Sequence, residues 1–345
     1  MIHNPYNKIP ILVTHKSSSA SAKLYFFLTA SHNHRVIKNT PNVELLYIVN
    51  DELISGLLKL GISQKNIFNS NNFHGHGSEE FERIFVNYSP NPSWFELLCF
   101  LRYFWALELC ILKGYQQIII SDSDMLFFPA LNNINLLSKS NSYLDFRDYI
   151  VNYDGESHKY IGGGLMMFTK EDLSNFCDYI TQQYLEINNI ENIYKQINNG
   201  GVCDMTLMTT WKKNNVFDLT FALNTVGLNF DKSIFQRLNG SSTNLQPRLI
   251  FDGILNNSNN LEVIVSSEEK SNLKLINLQF TGTSKNLIWG VFLYSKIIEN
   301  ASWLKNISFV ANQKLLKIIL LASQSRAVIF VSLHKFLTFL RNMHQ

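Results

Sequence analysis

The sequence predicts an α/β fold: a Rossmann-like mixed sheet flanked by helices, followed by a C-terminal helical extension. Two observations lead to this prediction. Short apolar runs alternate with helical stretches along the first part of the chain, as in proteins whose sheet is covered by helices. Hydrophobic residues make up 46% of the 345 residues and charged residues only 17%, so the chain can bury a substantial core.

The first elements are predicted to alternate as strand, helix, strand and helix. The apolar runs 9–14 and 43–49 have the length of buried strands, whereas residues 20–30 and 52–60 have helical spacing. A helix between two strands places those strands side by side and parallel. We therefore expect a parallel sheet with helices on its faces in this part of the chain.

The segment Ser93–Lys113 is the clearest helix in the sequence. Ser93 and Glu96 form the S-x-x-E pattern of a capping box, and Gly114 follows at the position where a left-handed residue ends a helix. Apolar residues surround the segment on nearly all sides, which predicts a buried helix. Residues 117–121 then form an isoleucine-rich run that predicts a central parallel strand.

The remaining predicted elements are strands at 143–146, 165–168 and 273–280 and helices at 170–185 and 205–211. The last 30 residues form a long apolar and basic helical stretch. Because neither an internal repeat nor a low-complexity linker is evident, we expect one domain over residues 1–299 and a C-terminal helical extension over residues 300–345.

The charged residues are distributed unevenly. The net charge is +3, but residues 300–345 carry six basic residues and no acidic one, which leaves −3 on the rest of the chain. A slightly acidic body argues against a nucleic-acid-binding surface. The N-terminus lacks the pattern of a signal peptide, and no uncharged apolar run reaches the ~18 residues of a membrane span, so we expect a cytoplasmic location.

The basic extension has two interpretations. Its apolar runs 318–322 and 327–333 are too short to span a bilayer. A basic, apolar-rich helix can lie on an anionic membrane surface, which would make the protein a peripheral membrane protein. The same residues can instead form a helix that packs on the domain with its basic side chains in water.

The strongest motif is Asp122-Ser123-Asp124, here called the D-x-D triplet, which follows the strand predicted at 117–121. Ligands of open α/β sheets bind beyond the carboxyl ends of the strands. Two carboxylates there concentrate negative charge, which Mn²⁺ or Mg²⁺ would neutralise because these cations prefer oxygen ligands. The cation could bridge to a diphosphate and stabilise the charge that grows on it as a glycosyl bond breaks. A polar loop after a strand is the alternative.

Arg102 is the only basic residue within the apolar run 95–112. A buried cation without a partner is costly. Arg102 therefore either forms a structural ion pair, with Glu96 or Glu108, or reaches the D-x-D triplet or a donor phosphate.

Three later segments carry glycine or polar residues that are candidates for ligand contacts. The run Gly162–Gly164 removes side chains before a strand, which favours either the approach of a ligand to the backbone or a tight turn. Asp204 precedes a helix, where it either caps that helix or binds a sugar. Thr281, Gly282 and Lys285 follow the last predicted strand and would offer N–H groups, hydroxyl groups and an amine to a diphosphate.

In their order and spacing these motifs resemble glycosyltransferase family 8, which includes the glycogenins and the bacterial lipopolysaccharide glucosyl- and galactosyltransferases. The resemblance covers roughly residues 95–290. It implies that residues 1–299 form a GT-A catalytic domain and that the donor is a nucleotide sugar, usually a UDP-linked hexose. It also implies transfer with retention of configuration at the anomeric carbon. The acceptor would be a glycan or a lipid-linked molecule.

The resemblance also assigns roles to individual residues. The implied metal ligands are Asp122, Asp124 and Gln279, the last of which replaces the histidine of the family. The implied contacts to the nucleotide sugar are Arg102, Asp122, Thr281, Gly282 and Lys285. The implied catalytic positions are Asp204, Gly163 and Gly164. The sequence departs from the family pattern again at Gly162, where the family has asparagine, and at Met205, where it has glutamine.

Two other classes of function are compatible with parts of the sequence. Phosphatases of the haloacid dehalogenase type also place a D-x-D motif after an apolar strand, with the first aspartate as the nucleophile. Their motif usually lies near the N-terminus, whereas here it begins at residue 122. A non-catalytic relative that binds a glycan is the other alternative, and the replacement of the late histidine by Gln279 is its support.

Overall fold

Strands and helices alternate through most of the chain. The computed structural model describes residues 8–17, 20–127, 129–153, 155–196, 201–211, 216–219, 225–230, 250–257, 260–266 and 273–280. The strands are β1 (Ile9–His15), β2 (Val43–Val49), β3 (Ile67–Asn69), β4 (Gln117–Ser121), β5 (Met125–Phe127), β6 (Ser142–Tyr153), β7 (Glu156–Thr169), β8 (Val216–Asp218), β9 (Thr225–Phe230), β10 (Ile250–Asn257), β11 (Asn260–Ser266) and β12 (Leu273–Phe280). The helices are α1 (Ala20–Lys38), α2 (Asp51–Lys59), α3 (Ser78–Ile84), α4 (Ser93–Lys113), α5 (Lys170–Leu185), α6 (Ile187–Gln196) and α7 (Asp204–Thr210).

The main sheet has, among the described residues, seven strands in the order β3-β2-β1-β4-β7-β6-β8. The first four of these run parallel to one another, because helices separate them along the chain. Strand β7 runs antiparallel to β4 and to β6, and β8 runs parallel to β6. The sheet is therefore mixed and flanked by helices, which confirms the predicted fold class.

Side chains of the central strands alternate between two buried clusters on opposite faces of the sheet. Leu12 of β1 and Ile120 of β4 belong to the cluster that contains the apolar side of α4. Their neighbours Ile11 and Ile119 belong to the cluster that contains Phe26 of α1. Both faces of these strands are thus covered, which explains why their sequences are continuous apolar runs rather than alternating ones.

Helix α4 has the predicted bounds, but it begins differently from the prediction. Gly114 ends it in the left-handed conformation, with φ of 71°. Pro92 is the N-cap and Ser93 is already helical, so the capping box predicted for Ser93 and Glu96 is wrong. The Glu96 carboxylate instead accepts hydrogen bonds from side chains of the preceding loop.

A smaller second sheet has the order β10-β11-β12-β5, with β9 also paired to β12. Strand β5 begins directly after the D-x-D triplet, and the antiparallel strand β12 pairs Gln279 with Met125. The sequence predicted β12 but not β5, β9, β10 or β11. This sheet brings the end of β12 to the residues that follow the triplet.

The C-terminal extension expected over residues 300–345 lies outside the described residues, and so does the boundary at residue 299. The two interpretations of the extension therefore both stay predictions. In the part of the chain that the structure describes, no helix combines the length and the apolar character needed to cross a membrane.

Candidate active site

A cleft of about 840 Å³ opens beyond the carboxyl ends of the parallel strands. His15 at the end of β1, Asn50 after β2 and the D-x-D triplet after β4 all line it. The N-terminal half of α4 and the start of α7 also line the cleft, and their lining residues include Arg102 and Asp204. This is the position at which α/β sheets bind ligands.

The D-x-D triplet is held in place by its backbone and by its central side chain. The N–H group of Asp122 donates a hydrogen bond of 3.0 Å to the carbonyl oxygen of Gly164. The Oγ atom of Ser123 lies 2.9 Å from Nδ1 of His15. Asp124 is buried, with 5% of its surface exposed, whereas 28% of the Asp122 side chain remains exposed in the cleft. The triplet is therefore held by hydrogen bonds to residues of two neighbouring strands.

Arg102 joins the triplet to the start of α7. Its Nη1 atom donates a hydrogen bond to Oδ1 of Asp122. Its Nη2 atom lies 2.5 Å from Oδ2 of Asp204, and the Tyr103 hydroxyl donates to the same oxygen at 2.9 Å. The guanidinium side chain is only 7% exposed, so this bridge is shielded from solvent. One rigid cation thus positions two carboxylates.

The carboxylates of the cleft influence one another electrostatically. Burial raises the pKa of Asp122 to about 6, although the Arg102 guanidinium opposes that shift. The negative charges of Asp124 and Asp204 also raise this pKa. The triplet therefore carries a repulsion that a bound divalent cation would relieve.

Asp204 lies at the cleft and does not cap a helix with its side chain. Cys203 is the N-cap of α7, and Asp204 is the first helical residue. Only 4% of its side chain is exposed, and its carboxylate accepts hydrogen bonds from Arg102 and Tyr103. The capping interpretation from the sequence is thus not the role that this carboxylate has in the fold.

The glycine run Gly162–Gly164 lies inside β7 and not in a tight turn. The carbonyl group of Gly164 accepts the Asp122 N–H hydrogen bond, because β7 pairs antiparallel with β4. The run therefore lies directly beside the triplet. Whether Gly163 and Gly164 take part in catalysis stays a prediction.

The late motif is described only in part. The backbone of Gln279 pairs with Met125, the residue after Asp124, and with Asn229 of β9. This register places position 279 next to the D-x-D triplet, as the third metal ligand of the resemblance would require. Thr281, Gly282 and Lys285 lie outside the described residues, so their contact with a nucleotide sugar stays a prediction.

Sequence reasoning missed His15 and the role of Glu96. His15 stacks on Phe26, with ring centroids 4.6 Å apart, and its Nδ1 atom contacts Ser123 of the triplet. A signal was present, because His15 directly follows the strand predicted at 9–14 and β1 ends at the same edge of the sheet as the triplet. Glu96, assigned to a capping box, has its carboxylate within 4.8 Å of ligand atoms of Cys99 and Asp204.

Among the described residues of the cleft, two groups have atoms that could bind a metal. The D-x-D triplet fits Mn²⁺ or Mg²⁺ better, since it offers carboxylate oxygens whose mutual repulsion a cation would remove. The group of Glu96, Cys99 and Asp204 includes a thiol, which magnesium and manganese do not favour. Asp204 already contacts the Arg102 cation, which disfavours a second positive charge there.

Comparisons with known proteins found relatives by structure only. No family model and no curated protein sequence matches the chain. Galactosyltransferase LgtC, solved with donor and acceptor sugar analogues, shares 13% identity and a TM-score of 0.48, over 85% of this chain and 96% of LgtC. Mouse xyloside xylosyltransferase 1 shares 11% identity and a TM-score of 0.45, over 66% of this chain and 90% of that protein.

A third solved structure is 4-diphosphocytidyl-2C-methyl-D-erythritol synthase from Anaerococcus prevotii. It shares 13% identity and a TM-score of 0.34, over 62% of this chain and 88% of that protein. At such low identities the similarity is one of backbone fold, and a fold does not by itself assign a reaction.

Proposed function

We propose that this protein is a metal-dependent glycosyltransferase of the GT-A type. One observation carries the proposal: Arg102 joins the first carboxylate of the D-x-D triplet to Asp204 in a cleft at the carboxyl ends of the strands. A nucleotide sugar would use both groups. Its diphosphate would bind a cation held by the triplet, and its sugar ring would donate hydrogen bonds to a carboxylate such as that of Asp204. The fixed distance between the two carboxylates supports a ligand with these two parts.

Asp122 and Asp124 would hold Mn²⁺ or Mg²⁺, with Gln279 as a third ligand. Such a cation supplies a Lewis acid that stabilises the negative charge on a departing diphosphate. Arg102 holds Asp122 in one orientation and adds positive charge on the same side of the cleft. The contact of Ser123 with His15 fixes the position of the triplet relative to the end of β1.

The donor would be a UDP-linked hexose and the transfer would retain the anomeric configuration, as the resemblance to family 8 implies. Asp204 would accept a hydrogen bond from a sugar hydroxyl through the oxygen that Arg102 and Tyr103 leave available. Thr281, Gly282 and Lys285 would contact the diphosphate, and Gly163 and Gly164 would border the reacting sugar. The acceptor would be a glycan or a lipid-linked molecule.

The haloacid dehalogenase alternative fits the geometry less well. In that mechanism the first aspartate attacks phosphorus, so its carboxylate must be available as a nucleophile. Here Arg102 donates a hydrogen bond to an oxygen of Asp122 and lowers its nucleophilicity. The triplet also follows the fourth strand of the chain rather than the first. Hydrolysis of a simple phosphomonoester without any response to nucleotides would favour this alternative.

A thermal-unfolding screen tests the proposal. UDP-, GDP-, CMP- and dTDP-sugars would each be added to the full chain with Mn²⁺ or with EDTA. A ligand that binds only the folded state raises the midpoint of unfolding, so we expect a rise with UDP-hexoses that requires Mn²⁺. A chain that responds to no nucleotide sugar in either buffer would contradict the proposed function and favour a non-catalytic protein.

A further inference from the structure

The first turns of α4 form a wall of the cleft that the proposed donor contacts do not use. Trp94, Phe95 and Glu96 all line the cleft there. Trp94 is 64% exposed and Phe95 38%, and their rings meet edge to face with centroids 6.0 Å apart. Large aromatic side chains left in water at the mouth of a cleft are typical of a ligand-binding wall.

Glu96 gives this wall a polar group that the protein satisfies only in part. The residue is 2% exposed. Its Oε1 atom accepts hydrogen bonds from Ser89 Oγ at 2.9 Å and from Asn91 Nδ2 at 2.6 Å. Its Oε2 atom is buried and has no hydrogen-bond partner in the part of the chain that the structure describes. A buried oxygen without a donor costs free energy, which a ligand hydroxyl group would recover.

The position of Glu96 relates the wall to the proposed donor site. Its carboxylate lies within 4.8 Å of the ligand atoms of Cys99 and Asp204. Arg102 follows six residues later on the same helix, about 9 Å along its axis. The wall therefore lies next to the Asp204 carboxylate. The terminal torsion of a glutamate is soft, so its carboxylate can reorient to meet a bound hydroxyl group.

We propose that this wall binds a sugar ring, with Glu96 accepting a hydrogen bond from a ring hydroxyl and Trp94 contacting the C–H face. The inference rests on the proposed function and names the side chains that hold the sugar. A pyranose ring has hydroxyl groups at its rim and apolar C–H groups on its faces. A cleft lined by both a buried carboxylate and an exposed indole offers both kinds of contact. The ring is either the transferred hexose or a sugar of the acceptor, and both present the same hydroxyl groups and C–H faces to the wall.

Saturation-transfer NMR on the full chain tests this inference. The probes are the methyl glycosides of glucose, galactose and N-acetylglucosamine, with UDP and Mn²⁺ present. The variants are Glu96→Gln, which replaces the accepting oxygen by a donor, and Trp94→Ala, which changes an exposed residue and should leave the fold intact. Glu108→Gln is the matched control, because Glu108 is a buried glutamate of the same helix whose carboxylate accepts from Gly75 N–H, away from the cleft.

We expect the wild-type chain and Glu108→Gln to transfer saturation to the ring protons of at least one glycoside. Glu96→Gln and Trp94→Ala should bind that glycoside at least about tenfold more weakly. Displacement of the glycoside by a UDP-hexose, but not by UDP, would assign the ring to the transferred hexose. Continued binding beside a UDP-hexose would assign it to the acceptor, and either result supports the inference.

Absence of saturation transfer in the wild-type chain would overturn the inference, and so would equal binding by Glu96→Gln and Glu108→Gln. The proposed function is tested separately by the UDP resonances of the same samples. Glycoside binding without Mn²⁺-dependent UDP binding would contradict the proposed function alone. UDP binding with no effect of Glu96→Gln would contradict this inference alone.

Discussion

The Nη2 atom of Arg102 lies 2.5 Å from Oδ2 of Asp204, although the two residues are 102 positions apart in the sequence. The other arm of the same guanidinium binds Asp122. A planar guanidinium holds two carboxylates at a fixed separation, which the single ammonium of a lysine cannot do. The contacts of Arg102 with these two carboxylates form the centre of the candidate site, and the first prediction concerns their loss.

Two replacements of Arg102 should have different effects, one on the transfer rate and the other on stability. Arg102→Lys keeps the charge but reaches one carboxylate, so we expect a folded protein whose transfer rate falls at least about tenfold. Arg102→Ala leaves two mostly buried carboxylates without their cation and should lower the free energy of unfolding by about 3–5 kcal/mol. Urea denaturation and a transfer assay measure the two effects. Arg83→Ala, at a side chain 79% exposed, is the control and should change neither.

Loss of one carboxylate of the D-x-D triplet should abolish metal-dependent turnover. Asp124→Asn keeps the size of the side chain but removes a charged ligand, so we expect Mn²⁺ affinity to fall and transfer to drop more than about a hundredfold. Titration of Mn²⁺ followed by electron paramagnetic resonance gives the affinity. Asp178→Asn, on an exposed position of α5, is the control. Near-wild-type transfer by Asp124→Asn in EDTA-treated buffer would show that the metal interpretation is wrong.

A third prediction concerns position 279, which pairs with Met125 beside the triplet. Imidazole binds transition metals more tightly than an amide oxygen does. We therefore expect Gln279→His to tighten Mn²⁺ binding several-fold. Asn277→His, two positions earlier in the same strand and paired with Phe127, should leave the affinity unchanged. Equal affinities for the two variants would remove Gln279 from the proposed ligand set.

Stability should depend on pH through His32. This residue of α1 is 4% exposed, its Nε2 atom lies 2.8 Å from the carbonyl oxygen of Phe127, and burial lowers its pKa to about 4. Between pH 6.5 and pH 4 the unfolded chain binds a proton here that the folded chain does not. Stability should therefore rise with pH through this window, and its loss on acidification should reach about 3 kcal/mol from this residue.

Urea denaturation at pH 7 and pH 4.5 measures this effect of His32. His32→Gln keeps an N–H donor for Phe127 but does not titrate, so its stability should fall less on acidification than that of the wild type. His74→Gln, which removes a side chain 60% exposed, should behave like the wild type. The same acid-induced loss in all three proteins would contradict the prediction.

The basic extension makes a prediction that needs the full chain. If residues 313–341 lie on a membrane, the protein should float with vesicles that contain anionic lipids, and salt should weaken the binding. Neutralisation of Lys314, Lys317 and Arg326 by glutamine should reduce flotation. No flotation with either anionic or neutral vesicles, in a protein that is active on soluble acceptors, would leave the packed-helix interpretation standing.

Local patterns were sufficient to predict most of the main sheet. The apolar run at 43–49 and the helix at 93–113 have the bounds that the sequence predicted, because the apolar pattern of each and the glycine that ends the helix are properties of adjacent residues. The triplet was recognisable for the same reason, since a carboxylate pair after a buried strand needs only a short stretch of sequence. The hairpin of β10 and β11 was not predicted, although β11 contains the β-branched run Val263–Val265.

The tertiary structure decided what each polar side chain contacts. From the sequence, Arg102 had several possible partners, and only the packing of α7 beside α4 assigned it to Asp204. Glu96 matched a capping box, but Pro92 took the N-cap and left its carboxylate at the wall of the cleft. Propensity and periodicity depend on neighbours in the chain, whereas such pairings depend on which distant segments the buried core brings together.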